Sequence, residues 1–123
     1  MLRPAPGAVF ELPLPADPRA RELAALLLED PADPRGLDAF AHAVGSSART
    51  LLRLFLAETG MTFNQWRVHV RLQAALAHLA EGAPVARVAQ RVGYATPSAF
   101  VAAFRRVTGQ TPASYFATRE DTP

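Results

Sequence analysis

The sequence predicts an all-α protein of about seven helices, and two observations lead to this prediction. Start and stop signals for helices recur along most of the chain, whereas the one candidate for extended structure is Ala8–Leu14. In addition, a segment that begins Ala-x-x-Val-Gly and continues through hydroxyl residues into an apolar stretch occurs twice, at 41–55 and 89–104. The copies open 48 residues apart and close, at Thr-Gly, 49 residues apart, so the second contains one extra residue just after its first glycine.

The first two helices are defined by prolines and a glycine. A helix is predicted over Pro18–Glu29, with Asp17 as its N-cap. Proline is tolerated at the first helical position because its missing N–H would have no partner there, and the segment "DPADP" ends the helix. A short helix over Leu37–Ala43 ends at Gly45. Residues 1–16 are rich in proline, and we expect them to be a linker or the remnant of a preceding domain.

The third helix and the long fourth helix both have N-cap signals. Ser47 caps a helix that reaches about Thr59, where a glycine follows. Thr62 and Gln65 form a capping box, which predicts a helix over Phe63–Ala80. A helix of about 20 residues is about 30 Å long, so this element is long enough to separate two smaller units.

The last three helices each begin at a proline. They are predicted over Pro84–Val92, Pro97–Val107 and Pro112–Phe116, with Thr96 and Thr111 as caps of the last two. Residues 17–123 are thus expected to form one domain. Its parts are a first subdomain (17–60), a connecting helix (61–82) and a second subdomain (83–119).

Each repeat consists of a short helix, a tight turn at glycine and a second helix, which is the arrangement of a helix-turn-helix. Gly45 and Gly93 are expected to have positive φ in the turns, and Ala41 and Ala89 to lie where the helices cross. The i, i+3, i+4 spacing predicts these core residues: Leu51, Leu54, Phe55, Phe100, Ala103 and Phe104. The opposite faces are then exposed, and they contain Arg49, Leu52, Arg53 and Leu56 in one copy and Pro97 or Ser98, Val101, Ala102 and Arg105 in the other.

The fourth helix has the length needed to place the second helix of each repeat against the same double-stranded DNA. Successive faces of the major groove lie about 34 Å apart, close to the length of this helix. Its apolar flank is expected to serve both subdomains and consists of Val68, Leu72, Ala75, Leu76 and Leu79.

Charge is distributed unevenly along the chain. Residues 1–45 carry four arginines and seven acids, a net charge of −3, whereas residues 46–119 carry nine arginines and two acids, a net charge of +7. A basic half suits a polyanion such as double-stranded DNA, and a solvated arginine surface is the alternative.

Other function classes lack the residues they need. Cysteine is absent, and His42, His69 and His78 do not have the spacing of metal ligands. Glu58 and Glu81 are isolated, so paired-carboxylate chemistry has no support. We therefore expect no enzyme, no catalytic residue, no metal and no cofactor. No apolar run approaches the roughly 18 residues of a membrane span, so we expect a cytoplasmic protein.

Residues 17 to about 116 resemble the AraC/XylS family of transcription regulators. The most specific segments are "LLRLFLAETG", "QWRVHVRL", "EGAPVARVAQRVGY" and "SAFVAAFRRVTGQTPASY". The resemblance implies a seven-helix module with two helix-turn-helix subdomains, whose third and sixth helices enter consecutive major grooves. It also implies that a sensor domain precedes this module in members with a similar lead-in.

The resemblance assigns roles to individual residues. The DNA-contacting positions of the third helix are Ser47, Ala48, Arg49, Thr50, Leu52 and Arg53, and those of the sixth helix are Thr96, Pro97, Ser98, Val101 and Ala102. Arg49 and Arg53 are the best candidates for base contacts, because arginine binds guanine O6 and N7 in a bidentate manner. The expected phosphate contacts are Arg67, Arg71, Arg105 and Arg106. Trp66 is expected in the core of the first subdomain.

The sequence departs from the family pattern at three positions. Leu52 and Leu56 stand where polar or basic residues are usual, and Ala102 stands where a long polar side chain is common. We therefore predict that the third helix distinguishes bases, while the sixth positions the backbone and packs against thymine methyl groups. The alternative is a helical protein–protein interaction module that has lost DNA binding and contacts its sensor domain or RNA polymerase through the two leucines.

Overall fold

The computed structural model describes residues 12–120, with side-chain surroundings up to Phe116, and this part contains seven helices and no strand. The helices are α1 (Pro18–Glu29), α2 (Leu37–Val44), α3 (Ala48–Thr59), α4 (Phe63–Ala80), α5 (Val85–Arg91), α6 (Pro97–Thr108) and α7 (Pro112–Glu120). The predicted all-α fold is confirmed. Of the candidate extended piece, residues 8–11 lie outside the described part, and residues 12–14 are irregular.

The predicted helix bounds agree with the structure to within one residue, except at the end of the last helix. Pro84 precedes α5 rather than starting it, because its ψ of 145° is extended. The last helix continues to Glu120, past the expected end at Phe116, since residues 117–120 contain no glycine or proline that would end it.

The structure contains the hydrogen bonds of the predicted N-caps of α3, α4 and α6. The Ser47 hydroxyl accepts from the Thr50 amide at 3.1 Å, and the Thr96 hydroxyl accepts from the Ala99 amide at 3.1 Å. Thr62 and Gln65 form both bonds of the capping box, at 2.9 and 3.1 Å. These bonds satisfy amides that the first helical turn leaves without partners, and so they fix where α3, α4 and α6 begin.

Two hydrophobic cores lie along α4. We call α1–α3 the first unit and α5–α7 the second unit. The buried residues of the first core are Ala20, Leu23, Ala24, Leu27, Phe40, Ala41, Val44, Leu51, Phe55, Phe63, Trp66 and Val70. Those of the second are Leu72, Ala75, Val88, Ala89, Val92, Phe100 and Phe104.

The amino-terminal half of α4 packs on the first unit and the carboxyl-terminal half on the second. The predicted apolar flank, from Val68 to Leu79, contacts only the second core. The first core instead receives Phe63, Trp66 and Val70. The expectation that one flank serves both units was therefore wrong, because the helix turns a different side to each core along its length.

The two turns have matching geometry. Gly45 and Gly93 have φ of 71° and 101°, as predicted. The Ser46 amide donates to the Ala41 carbonyl at 2.8 Å, and the Tyr94 amide donates to the Ala89 carbonyl at 2.9 Å. These equivalent bonds close both helices with a left-handed residue. Because Ser46 corresponds to Tyr94, the extra residue of the second copy is Ala95.

The segment before α1 is bound to the first unit. The Trp66 indole donates to the Pro13 carbonyl at 2.9 Å, and Pro15 is buried. The Glu58 carboxylate, near the end of α3, accepts from the Ala16 and Asp17 amides at 3.0 and 3.1 Å. Residues 13–17 therefore connect the start of α1 to both α3 and α4.

Candidate nucleic-acid interface

The outer face of α3 is open to solvent along its whole length. Leu51 and Phe55 are fully buried on the inner face, which fixes the orientation of the helix. The opposite face exposes the predicted residues Arg49, Leu52, Arg53 and Leu56. The two leucines are 48% and 55% exposed. This face therefore presents two cationic side chains alternating with two apolar ones.

The amino-terminal turn of α3 contains the remaining predicted positions of this helix. Ala48 and Thr50 are half-buried, and Ser47 is exposed. The Ser47 hydroxyl donates to the Thr50 hydroxyl at 3.0 Å while it accepts from the Thr50 amide. Both hydroxyl groups thus take part in the cap, and a ligand here would share hydrogen bonds with it.

The outer face of α6 offers few polar groups. Pro97, Ser98 and Ala102 are exposed, whereas Val101 is half-buried and packs against the second core. The Thr96 hydroxyl is occupied as the cap. This composition agrees with the expectation that α6 has little with which to hydrogen-bond bases.

Aromatic contacts fix the inner face of α6. The Phe100 and Phe104 rings meet edge to face with centroids 5.9 Å apart, and the Tyr115 ring of α7 meets Phe104 at 5.5 Å. Arg105 and Arg106 follow on the exposed side, in the last turns of the helix. Their guanidinium groups are therefore accessible, and the packed rings beneath them hold the helix in place.

Arg67 and Arg71, on α4, are half-buried and contact other parts of the protein. Arg67 donates to the Asp33 carbonyl, and its guanidinium lies 5.5 Å from the centroid of the Phe40 ring. Arg71 donates through Nε to the Pro31 carbonyl at 3.2 Å, and its guanidinium lies 5.5 Å from the centroid of the Tyr94 ring. No pattern in the sequence predicts these contacts, because their partners are backbone carbonyls 34 and 40 positions away.

The same two arginines line an open groove of about 310 Å³ together with Pro34, Asn64 and Val68. Burial, with a smaller contribution from repulsion by Arg71, holds the pKa of Arg67 below its ordinary value. Two neighbouring cations in one groove favour an anion there. This supports the phosphate-contact prediction for Arg67 and Arg71, which stays a prediction.

The ion pairs of the described residues leave the basic half without acidic partners. Asp17 pairs with Arg19 at 3.2 Å, and Asp33 pairs with Arg35 at 2.8 Å. Hydrogen bonding from Arg35 lowers the pKa of Asp33. Both pairs lie before residue 46, and the third recorded pair, His78 with Glu81 at 4.0 Å, involves no arginine. The exposed arginines of α3 and α6, which are Arg49, Arg53, Arg105 and Arg106, take part in none of these pairs and remain available to an anionic ligand.

Residues 12–120 contain neither a metal-binding cluster nor a membrane-spanning helix. This part holds no group of three or more histidine, cysteine or acidic residues that is arranged to bind a metal ion. None of its helices combines the length and the apolar character that a membrane crossing requires.

The chain is similar in sequence to a family of helix-turn-helix domains and to known transcriptional regulators. Residues 40–118 match the family model described as a helix-turn-helix domain. The HTH-type transcriptional regulator RipA of Corynebacterium glutamicum is 45% identical over 103 residues, which are 84% of this chain and 31% of that protein. The HTH-type transcriptional regulator NimR of Escherichia coli is 35% identical over 91% of this chain and 41% of its own length. The chain thus spans between about a third and two fifths of these curated relatives.

A solved structure is also similar. The DNA-binding domain of AdpA, a global transcriptional factor crystallised in complex with a target DNA, matches with a TM-score of 0.73 and 34% identity. The match covers 84% of this chain and 93% of that domain, so it includes both units and α4.

Proposed function

The chain belongs to the AraC/XylS family of helix-turn-helix transcription regulators, and from this premise we propose that residues 17–123 bind double-stranded DNA with sequence specificity. The exposed outer face of α3 supports this proposal most directly. Its two arginines are exposed, while the inner face of the same helix is anchored by Leu51 and Phe55. A helix whose inner face is packed in the core and whose exposed face carries cations has the geometry of a recognition helix.

Base discrimination is assigned to α3. Arg49 and Arg53 lie one helical turn apart on its exposed side, so both point toward the same stretch of groove. Each arginine is suited to bind a guanine through O6 and N7. Ser47, Ala48, Thr50 and Leu52 complete the proposed contact surface of this helix.

A positioning role is assigned to α6. Thr96, Pro97, Ser98, Val101 and Ala102 form its proposed contact surface, which is small and mostly apolar. Such a surface suits contact with thymine methyl groups rather than hydrogen bonds to base edges. Arg105 and Arg106 are proposed to bind phosphates, which orient the protein without selecting sequence. The same role is proposed for Arg67 and Arg71.

The spacing of the two recognition helices is assigned to α4. Its 18 residues give a length of about 27 Å, comparable with the roughly 34 Å between successive major-groove faces. We propose that α3 and α6 enter adjacent groove segments on one side of the duplex. The similar AdpA domain, which was crystallised with a target DNA, supports DNA binding by this fold.

The wider biology follows from the family. We propose that the protein is a cytoplasmic regulator with no catalytic activity and no cofactor. RNA polymerase and a sensor domain are proposed as protein partners, because the relatives are transcriptional regulators of greater length than this chain.

The test is selection of bound sites from a random pool of double-stranded DNA, first at low salt and then near 0.15 M, roughly the physiological level. We expect one enriched motif, with affinity that falls steeply as salt rises, because arginine–phosphate contacts release counterions. A pool that shows no enriched motif at either salt concentration would overturn the proposal.

A second candidate function is favoured by the exposure of Leu52 and Leu56. An exposed apolar pair is also suited to a protein interface, in which case the fold is retained without DNA binding. Replacing both leucines with glutamine separates the two functions. A DNA-binding protein keeps its non-specific, salt-dependent affinity in this variant, whereas an interaction module has no such affinity in either form.

A further inference from the structure

Arg71 contacts both units at once. Its Nε donates to the Pro31 carbonyl in the loop between α1 and α2, which belongs to the first unit. Its guanidinium lies 5.5 Å from the centroid of the Tyr94 ring, in the turn between α5 and α6 of the second unit. Arginine suits this double contact, because its planar group donates a directed hydrogen bond and also packs over an aromatic face.

The two segments that Arg71 joins are in close contact. A Cβ atom built on Gly93 would lie 3.1 Å from the Ala32 Cα and 3.0 Å from the Arg71 Cζ. The turn of the second unit therefore lies directly against the loop of the first unit, with the guanidinium between them. Any side chain at Gly93 would separate these surfaces.

Both ends of this contact are held in place. In the loop, Asp33 pairs with Arg35, and the Asp33 carbonyl accepts from Arg67. At the other end, the Tyr94 ring packs against Phe100, the first buried residue of α6, with centroids 5.8 Å apart. Arg71 is thus connected through one aromatic ring to the recognition helix of the second unit.

We propose that Arg71 is a positioning residue that fixes the orientation of the second unit relative to the first, and so sets which spacing between two DNA half-sites the protein accepts. This inference rests on the proposed function. The two cores are otherwise joined along α4, and the close approach of Gly93 to Ala32, with the Arg71 guanidinium of α4 against both, adds a second connection.

The expected effect follows from the geometry of two linked binding events. Once α3 is bound to its half-site, α6 binds the other half-site with an effective concentration. This concentration depends on how well the distance between the two helices matches the distance between the half-sites. A rigid linkage gives high affinity at one spacing and low affinity at others. Loosening it lowers affinity at the matched spacing and raises tolerance of the others.

The experiment measures affinity for the selected site and for versions with one base pair inserted or removed between the half-sites. Each change rotates one half-site by about a tenth of a turn. We expect the parent to prefer the matched spacing, and Arg71→Ala to reduce that preference by about tenfold. Tyr94→Leu, which removes the aromatic contact without changing charge, is expected to have the same effect. Arg87→Ala, at an exposed position of α5, is the matched control and is expected to keep the parental preference.

Arg71→Lys separates positioning from a simple phosphate contact, since lysine keeps the charge but not the planar group. We expect Arg71→Lys to lose spacing preference as Arg71→Ala does. If instead Arg71→Ala weakens all spacings equally and Arg71→Lys restores affinity, Arg71 acts only as a phosphate contact and the inference is wrong. A parent that selects no site overturns the proposed function together with this inference, whereas a selective parent whose Arg71 and Tyr94 variants keep its preference overturns the inference alone.

Discussion

Gly93 and Arg71 lie so close together that a Cβ atom on the glycine would be 3.0 Å from the guanidinium carbon. The equivalent glycine of the first repeat, Gly45, has no atom within 4 Å of the corresponding point. Both residues adopt positive φ. The first turn therefore requires glycine for its backbone conformation, and the second requires it also for space.

This difference predicts unequal effects of alanine at the two turns. Gly45→Ala is expected to lower the free energy of unfolding by about 1–2 kcal/mol, the cost of a left-handed residue with a Cβ atom. Gly93→Ala is expected to cost about 1–3 kcal/mol more, because the added methyl overlaps Ala32 and Arg71. Urea unfolding followed by circular dichroism measures both values. Equal losses in the two variants would contradict the close approach at Gly93.

Arg53→Ala tests base recognition by α3. Loss of a bidentate contact is expected to weaken binding to the selected site by about 1–3 kcal/mol and to relax the preference at one base position. Titration against the selected site and its single-base variants measures both effects. Arg21→Ala, which removes an exposed arginine from α1, is the control and is expected to bind as the parent does. An unchanged base preference in Arg53→Ala would count against the assignment.

Arg105→Ala tests the phosphate role of the α6 arginines. Since a phosphate contact carries no sequence information, binding is expected to weaken about equally for specific and unrelated duplexes. The slope of log affinity against log salt is expected to fall by about one. Measurement of both duplexes over a salt series decides the matter. A loss confined to the specific duplex would show that Arg105 contacts a base instead.

The apolar face of α6 predicts sensitivity to thymine methyl groups. Replacing the thymines of the α6 half-site with uracil is expected to weaken binding by about 0.8 kcal/mol for each methyl that loses its contact. The same replacement outside the protected region serves as the control and is expected to have no effect. If uracil is tolerated throughout the α6 half-site, Val101 and Ala102 do not contact methyl groups.

Much of the fold was predictable from local chemistry. The caps at Ser47, Thr62 and Thr96 are short-range devices, so the residues beside them suffice to place the starts of α3, α4 and α6. The positive φ of Gly45 and Gly93 followed from the repeat, since each lies between two helices in the same pattern. The exposed face of α3 followed from its buried face by helical spacing.

Contacts between distant segments were not predictable in this way. The sequence places Arg67 and Arg71 on α4 but carries no sign that the Asp33 and Pro31 carbonyls would accept from them. The division of α4 between two cores was likewise missed, because one helix can turn different sides to two partners while its sequence shows a single apolar flank. Both features concern packing between segments that are distant in the sequence, which depends on their arrangement in space.

The most direct test of the account is hydroxyl-radical footprinting on the selected site. If α3 and α6 occupy adjacent major-groove segments on one side of the duplex, two protected tracts are expected about one helical turn, or 10–10.5 base pairs, apart. A single tract would show that one helix binds alone. Two tracts separated by half a turn would place the helices on opposite sides of the duplex, and either result would contradict the proposed arrangement.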